Sequence, residues 1–175
     1  ALLEMKRESF FSEFRQEHRK IRDLLFDMIT SFLEHDFEKS GALLESLDSL
    51  TGPHFRYEEE ELYPALTEIF GEQYINKLLT DHDLAIARAK KLNSMIKAGS
   101  KEKDDITDCI NTVRSILPHV SDCEGLSIMV EKLDDKVVDS ICNSVEEARK
   151  ANIPLIEWSE TSRTRKPLQI KDKTY

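Results

Sequence analysis

Glycine and proline are scarce in this chain, five of each among 175 residues, and tryptophan occurs once. With so few turn-formers a strand-rich architecture is excluded, and long helices remain. Apolar runs stop after a few residues, far short of the ~20 that a membrane-crossing helix needs, and no charged-then-apolar leader opens the chain. Positive charge is also under-represented. The 25 Lys and Arg against 34 Asp and Glu leave a net −9, the wrong sign for a surface that neutralises phosphates. The expectation is a cytoplasmic protein with no membrane and no nucleic-acid partner. Cysteine is limited to Cys109, Cys123 and Cys142, widely spaced and without a C-x-x-C pair, so neither a disulfide framework nor a zinc ribbon is indicated. Cys109 and Cys142 fall on apolar stripes, where a thiol behaves as a small buried hydrophobe.

What the chain does have is charge and helical periodicity. Apolar residues make up 39%, and they recur at three- and four-residue intervals, enough to give each helix one buried stripe. The pattern predicts helices over about 10–33, 38–70, 73–97, 103–130 and 134–150, an all-α fold. Gly52 and Pro53 are expected to kink or loosen the second. Residues 1–151 read as one helical domain and 152–175 as a C-terminal extension. That extension holds Pro154, Trp158 and Pro167 and carries a net +2 against −11 for the rest. It is expected to lie against its own bundle or a neighbouring subunit, which would make it the route to a homo-oligomer or a protein partner.

The stretch PHFRYEEEELYP, residues 53–64, places His54 and Glu58 four apart and therefore on one helix face. His18, His82 and His119 each lie on an apolar stripe of their own. His35, at the end of the first helix, reads instead as a histidine set against the helix dipole. The four inward histidines fall into a repeat. His18 and His82 each follow an acidic residue and are 64 apart, and His54 and His119 each follow a proline and are 65 apart. Two copies of a helical hairpin would form a four-helix bundle with four imidazoles converging in its core. Four buried imidazoles without partners would cost on the order of 1 to 3 kcal/mol apiece. A metal removes that cost, and a mixed histidine and carboxylate set on helices suits non-haem iron. Two metals bridged by Glu58 would explain why a carboxylate shares the face of His54.

The pattern of His18, His54 with Glu58, His82 and His119, together with HFRYEEEELYPAL, closely resembles the hemerythrin-like (HHE cation-binding) family over about residues 8–131. The resemblance implies an up-down-up-down four-helix bundle, here with an additional C-terminal helix and an irregular tail. It also implies a di-iron centre, two Fe ions, that binds dioxygen or another small diatomic. His18, His54, Glu58, His82 and His119 would be its ligands, with Glu58 bridging. Two positions depart from the family pattern. Ile86 stands where oxygen-carrying members have a second third-helix histidine. In the fourth helix, where a carboxylate follows the histidine by four or five residues, the 65-residue offset maps Glu58 onto Cys123 and Glu59 onto Glu124. Cys123 shares the face of His119, and a metal could convert its thiol to a thiolate. Glu124 sits ~140° around an ideal helix, yet an acid at that spacing is used in the family, and Glu124 is preferred. Glu61 is a further candidate, seven residues after His54, against a reading as one member of a solvated acidic run. Glu59 and Glu60 are expected to point outward. Tyr57 and Tyr63 read first as packing aromatics and second as donors to the site.

No E-x-x-H pair, H-E-x-x-H or G-x-S-x-G motif is present, which sets aside ferritin-like oxidase, zinc-protease and hydrolase readings. The function expected is a di-iron protein acting as sensor, store or scavenger of a diatomic. The alternatives are a redox enzyme of the same fold, reducing peroxide or nitric oxide or repairing iron-sulfur clusters, and a metal-free helical interaction module.

Overall fold

A computed structural model describes the backbone of residues 2–165 and the side chains of residues 7–165. The end of the expected irregular tail, 166–175 with Pro167, lies outside the described residues. The described chain is helical, with no strand among those residues, and forms an up-down-up-down bundle with extra C-terminal helices. The first helix is α1 (Leu2–Leu33), and the second leg is α2 (Phe37–Tyr57), a π-helical turn (Glu58–Leu62) and α3 (Tyr63–Phe70). The third leg is α4 (Glu72–Ala98), and the fourth is α5 (Lys103–Arg114), α6 (Leu117–Glu124) and α7 (Ser127–Val130). Then come α8 (Asp135–Ala151), the expected additional helix, and α9 (Leu155–Thr161), which corrects the expectation of an irregular tail from 152 on: Pro154 precedes its first turn, and Leu155 and Trp158 are buried.

The helix ends follow local chemistry. His35 adopts a left-handed conformation, φ 55°, closing α1, and Asp36 caps α2 by accepting from the Lys39 amide at 3.0 Å. Gly99, at φ 61°, ends α4 in the same left-handed region. The fourth leg, expected as one helix, is broken twice. Pro118 sits in the first turn of α6, where its missing N–H removes nothing from the ladder, so the chain restarts there.

The expectation for the second leg also needs correction. α2 runs through Gly52 and Pro53 as continuous helix, and the irregularity comes five residues after Pro53, as the π turn. There the Tyr63 amide bonds the Glu58 carbonyl, five residues back, just ahead of Pro64, which has no amide to offer. Gly52 has another role. A Cβ at that position would lie 2.0 Å from the Ile153 carbonyl oxygen and 2.8 Å from the Leu155 nitrogen. Glycine is what lets residues 153–155 cross directly over α2. Asp48 fixes the same crossing by accepting from the Ile156 amide at 2.9 Å.

Two apolar clusters fill the bundle, and the four inward histidines separate them. One cluster holds Ile21, Ala85 and Ile116, the other Phe14, Leu78 and Cys123. His18, His82 and His119 each lie between a residue of one and a residue of the other along their own helix. The bundle thus carries one polar layer between two apolar ends. α8 packs on α1 and α2, and α9 packs on α2 and α4, burying Leu155 and Trp158.

Candidate metal centre

The polar layer brings together six of the residues singled out from sequence. His18, His54, Glu58 and Cys123 offer ligand atoms within 4.8 Å of one another, and Glu58, His82 and His119 form a second such group. Glu58 belongs to both. The two hairpins contribute near-identical pairs: the rings of His18 and His54 lie 4.6 Å apart at 73°, those of His82 and His119 4.8 Å apart at 78°. The repeat offset is also met in space, for the Cys123 thiol donates to Glu58 Oε2, joining the two equivalent positions. Glu124 and Glu61 lie in neither group. Both are half-buried, and Glu124 lines a surface cleft with Arg19, Arg22 and Phe26.

Three of the four histidines are oriented by a hydrogen bond at Nδ1. His18 Nδ1 donates to the Phe14 carbonyl at 2.7 Å, His54 Nδ1 meets Glu17 Oε2 at 2.5 Å, and His82 Nδ1 meets Glu59 Oε1 at 2.9 Å. Asp81 Oδ2 stands 3.5 Å from His119 Nδ1, an ion-pair distance without hydrogen-bond geometry. Anchoring Nδ1 leaves Nε2 as the atom available to a ligand and sets the ring plane. His54 Nε2 and His82 Nε2 accordingly approach Glu58 Oε1, at 3.1 and 3.5 Å.

Glu17 and Asp81 were not singled out from sequence, though a signal was present. They are the acidic residues that immediately precede His18 and His82. In each hairpin that acid reaches the histidine of the other helix, Glu17 to His54 and Asp81 to His119. Glu59 corrects an expectation, since its side chain is only 8% exposed. On an ideal α-helix it would stand 100° from Glu58, but the π turn starts at this point and carries both carboxylates inward, whereas Glu60 stays outside and pairs with Arg56. Tyr57 donates to Glu17 at 2.9 Å, and the Tyr63 hydroxyl lies 3.1 Å from His82 Nε2, 3.3 Å from Cys123 Sγ and 3.4 Å from Glu58 Oε2. Both tyrosines therefore serve the site as well as the packing.

A family model, the Hemerythrin HHE cation binding domain, matches residues 9–149. The chain belongs to this hemerythrin HHE family. Comparison with curated proteins and with solved structures gave no match. Cation binding is the family's stated property, and the buried layer of this hemerythrin-type bundle fits it. Glu58 Oε1 and His119 Nε2 are buried without a hydrogen-bond partner. Such orphans cost about 1–3 kcal/mol each unless something else satisfies them, and a cation coordinated by a carboxylate oxygen and an imidazole nitrogen would do so.

The electrostatics of the layer follow from the same contacts. Burial works against the charge on His54, but the carboxylates of Glu58 and Glu17 on either side outweigh it and raise its pKa to about 10. Burial likewise opposes charge on Glu17, yet His54 and Arg149 hold it down at about 2. His18 is pushed down to about 4 by burial and by the neighbouring charge of His54. Cys123 is pushed up by burial and by the Glu58 carboxylate, so its thiol keeps its proton in the metal-free protein. A stability profile follows for the metal-free hemerythrin-type protein. Between about 4 and 6.5 the unfolded chain takes up a proton at His18 that the folded chain refuses, so stability rises with pH. Between 6.5 and about 10 the folded chain keeps the His54 proton that the unfolded chain has lost, so stability falls. Glu17 adds a further loss as pH drops from 4.5 toward about 2. Thermal melts of chelator-treated protein should show a maximum near pH 6.5, and a monotonic rise from pH 6 to 9 would contradict the His54 assignment.

Beside the site lies a cavity of about 30 Å³, room for about two water-sized molecules. His18, His54, Glu58 and His119 line it together with apolar side chains that include Leu44, Leu47, Ala85, Ala89, Leu92 and Leu155. Thr51 and Asp48 also line it but spend hydrogen bonds elsewhere, on the Leu47 carbonyl and the Ile156 amide.

Proposed function

We propose that this protein holds two iron ions in the buried layer and binds dioxygen or a related diatomic there, as a sensor, store or scavenger. The observation that carries the reading is Glu58, fully buried and common to both ligand groups, with Oε1 facing Nε2 of both His54 and His82 and making no hydrogen bond. His18, His54, Glu58 and Cys123 would hold one ion, and Glu58, His82 and His119 the other. Iron in such a setting supplies a redox-active centre able to exchange electrons with a small ligand.

The chain's own residues supply the rest. Glu17 and Glu59 keep Nε2 of His54 and His82 directed inward. The adjoining cavity of about 30 Å³ takes a molecule the size of water or a diatomic and leaves no room for an organic substrate. Tyr63, within 3.4 Å of Glu58, His82 and Cys123, is the hydroxyl that can donate to a ligand held between them. Cys123 stands in a ligand group where Glu124 does not, and it takes the place that the repeat assigns to a second carboxylate. The same thiol favours a second reading, a redox enzyme that reduces peroxide or nitric oxide.

Anaerobic loading with ferrous iron, followed by elemental analysis, should give about two irons per chain; fewer than about one per chain removes the di-iron reading. Reversible change in visible absorption on admitting and removing oxygen fits binding, while sustained consumption of peroxide or nitric oxide fits the enzyme instead. Cys123→Ser should shift the absorption of the loaded protein and weaken one ion. Glu124→Ala should leave both in place, and loss of metal from that variant with none from Cys123→Ser would reverse the assignment.

A further inference from the structure

Two relays of the same kind run into the metal layer from outside the four-helix core. In the first, Arg149 of α8 pairs with Glu17 at 2.6 Å, and Glu17 meets His54 Nδ1 at 2.5 Å. In the second, Arg163, just past α9, pairs with Glu59 Oε1 at 2.7 Å, and Glu59 meets His82 Nδ1 at 2.9 Å. The second relay is the more deeply built. The Arg163 side chain is 0% exposed and stands 5.7 Å from the centre of the Trp158 ring. It spans two carboxylates, reaching Asp83 Oδ1 at 2.7 Å as well as Glu59, while Arg165 grips Asp83 from the other side at 3.0 Å. A buried guanidinium held in this way fixes a carboxylate in both position and plane. A carboxylate so fixed sets the tautomer and orientation of the imidazole it faces.

Arg163 lies beyond residues 9–149, the part of the chain that matches the family. The half of the layer containing His82 is therefore oriented by a residue that the matched region does not contain. We propose that Arg163 is a positioning residue for His82, acting through Glu59, and that the C-terminal segment thereby makes the His82 and His119 half of the site competent to hold its ion. This rests on the metal-centre reading above for its consequence, but the orientation of the His82 ring can be read without any metal.

The test uses the full chain with Arg163→Ala and Arg163→Lys. In metal-free protein, long-range 1H–15N spectra of the imidazoles should show a protected Nδ1 proton on His82 in the unaltered chain. Arg163→Ala should lose that signal, and Arg163→Lys should retain it in part. Stepwise iron titration should show the weaker-binding step of Arg163→Ala reduced by about 10- to 100-fold, with the other step unchanged. Unchanged His82 signals in Arg163→Ala, or an equal fall in both binding steps, overturns the proposal, because a merely structural role would not separate the two halves. If Arg163→Ala does not fold, Arg163→Lys decides: it keeps the cation but cannot span both carboxylates as a fork, so wild-type signals and affinities there also overturn it. Should the unaltered chain bind no iron, the metal reading fails, and the imidazole spectra still decide whether Arg163 orients His82.

Discussion

Glu58→Gln is expected, if the layer holds two irons as proposed, to empty both halves at once and take iron from about two per chain to fewer than about one. Every other candidate ligand belongs to a single group, whereas Glu58 belongs to both. Glutamine keeps the shape and one carbonyl oxygen but removes the charge that two cations would share. The metal-free protein should suffer as well. Glu58 is completely buried, with His54 Nε2 at 3.1 Å and the Cys123 thiol donating to it. Removing one partner of a buried charge pair typically costs about 3–5 kcal/mol. Elemental analysis after anaerobic loading and denaturant midpoints of the metal-free form measure the two effects separately. His18→Ala is the control, since His18 sits in one group only and its loss should spare the other ion. Two irons retained by Glu58→Gln would sink the bridging role.

Gly52→Ala should release the C-terminal segment from the bundle. The added methyl would meet three backbone atoms, the Ile153 oxygen at 2.0 Å, the Pro154 carbonyl carbon at 2.7 Å and the Leu155 nitrogen at 2.8 Å. Backbone cannot swing aside as a flexible side chain does, so residues 153–155 must lift. Overpacking of this kind costs about 1–3 kcal/mol. Exposure of Leu155 and Trp158, buried in the intact chain, adds about 1.5–3 kcal/mol for each large side chain that returns to water. A fall in the denaturant midpoint together with new protease sensitivity after Ala151 is the expected result. Since Leu155 closes one side of the cavity and Arg163 follows in the same segment, the variant should also bind iron more weakly. An unchanged midpoint would mean that the segment does not sit on Gly52 in solution.

Both predictions turn on residues whose importance was unevenly visible in the linear chain. Glu58 was legible because four-residue spacing behind His54 places it on the same face whatever the bundle does. Cys123 was legible through the 65-residue offset, although preference went to Glu124, the acid usual at such a position. The geometry groups Cys123 with the other candidate ligand atoms and leaves Glu124 outside. Glu59 was misplaced because its expected direction assumed 3.6 residues per turn, and the π turn abolishes that register just where the acidic run begins. Gly52 was read as a helix-weakening residue, for in sequence a glycine in a helix is only a missing side chain; that another strand of backbone occupies the vacancy is a fact about residues a hundred positions away.

By itself, the sequence determined the four legs of the bundle and α8, their buried faces and the layer of four histidines with Glu58, because these depend on helical period and on a duplicated hairpin, both written along the chain. Only the tertiary structure decided which carboxylates hold the imidazoles, that Cys123 meets Glu58, that a cavity for a small molecule lies beside them, and that Arg149 and Arg163 anchor the layer from α8 and the segment after α9. Those are contacts between residues far apart in sequence. No local periodicity encodes them, and they exist only once the helices have packed.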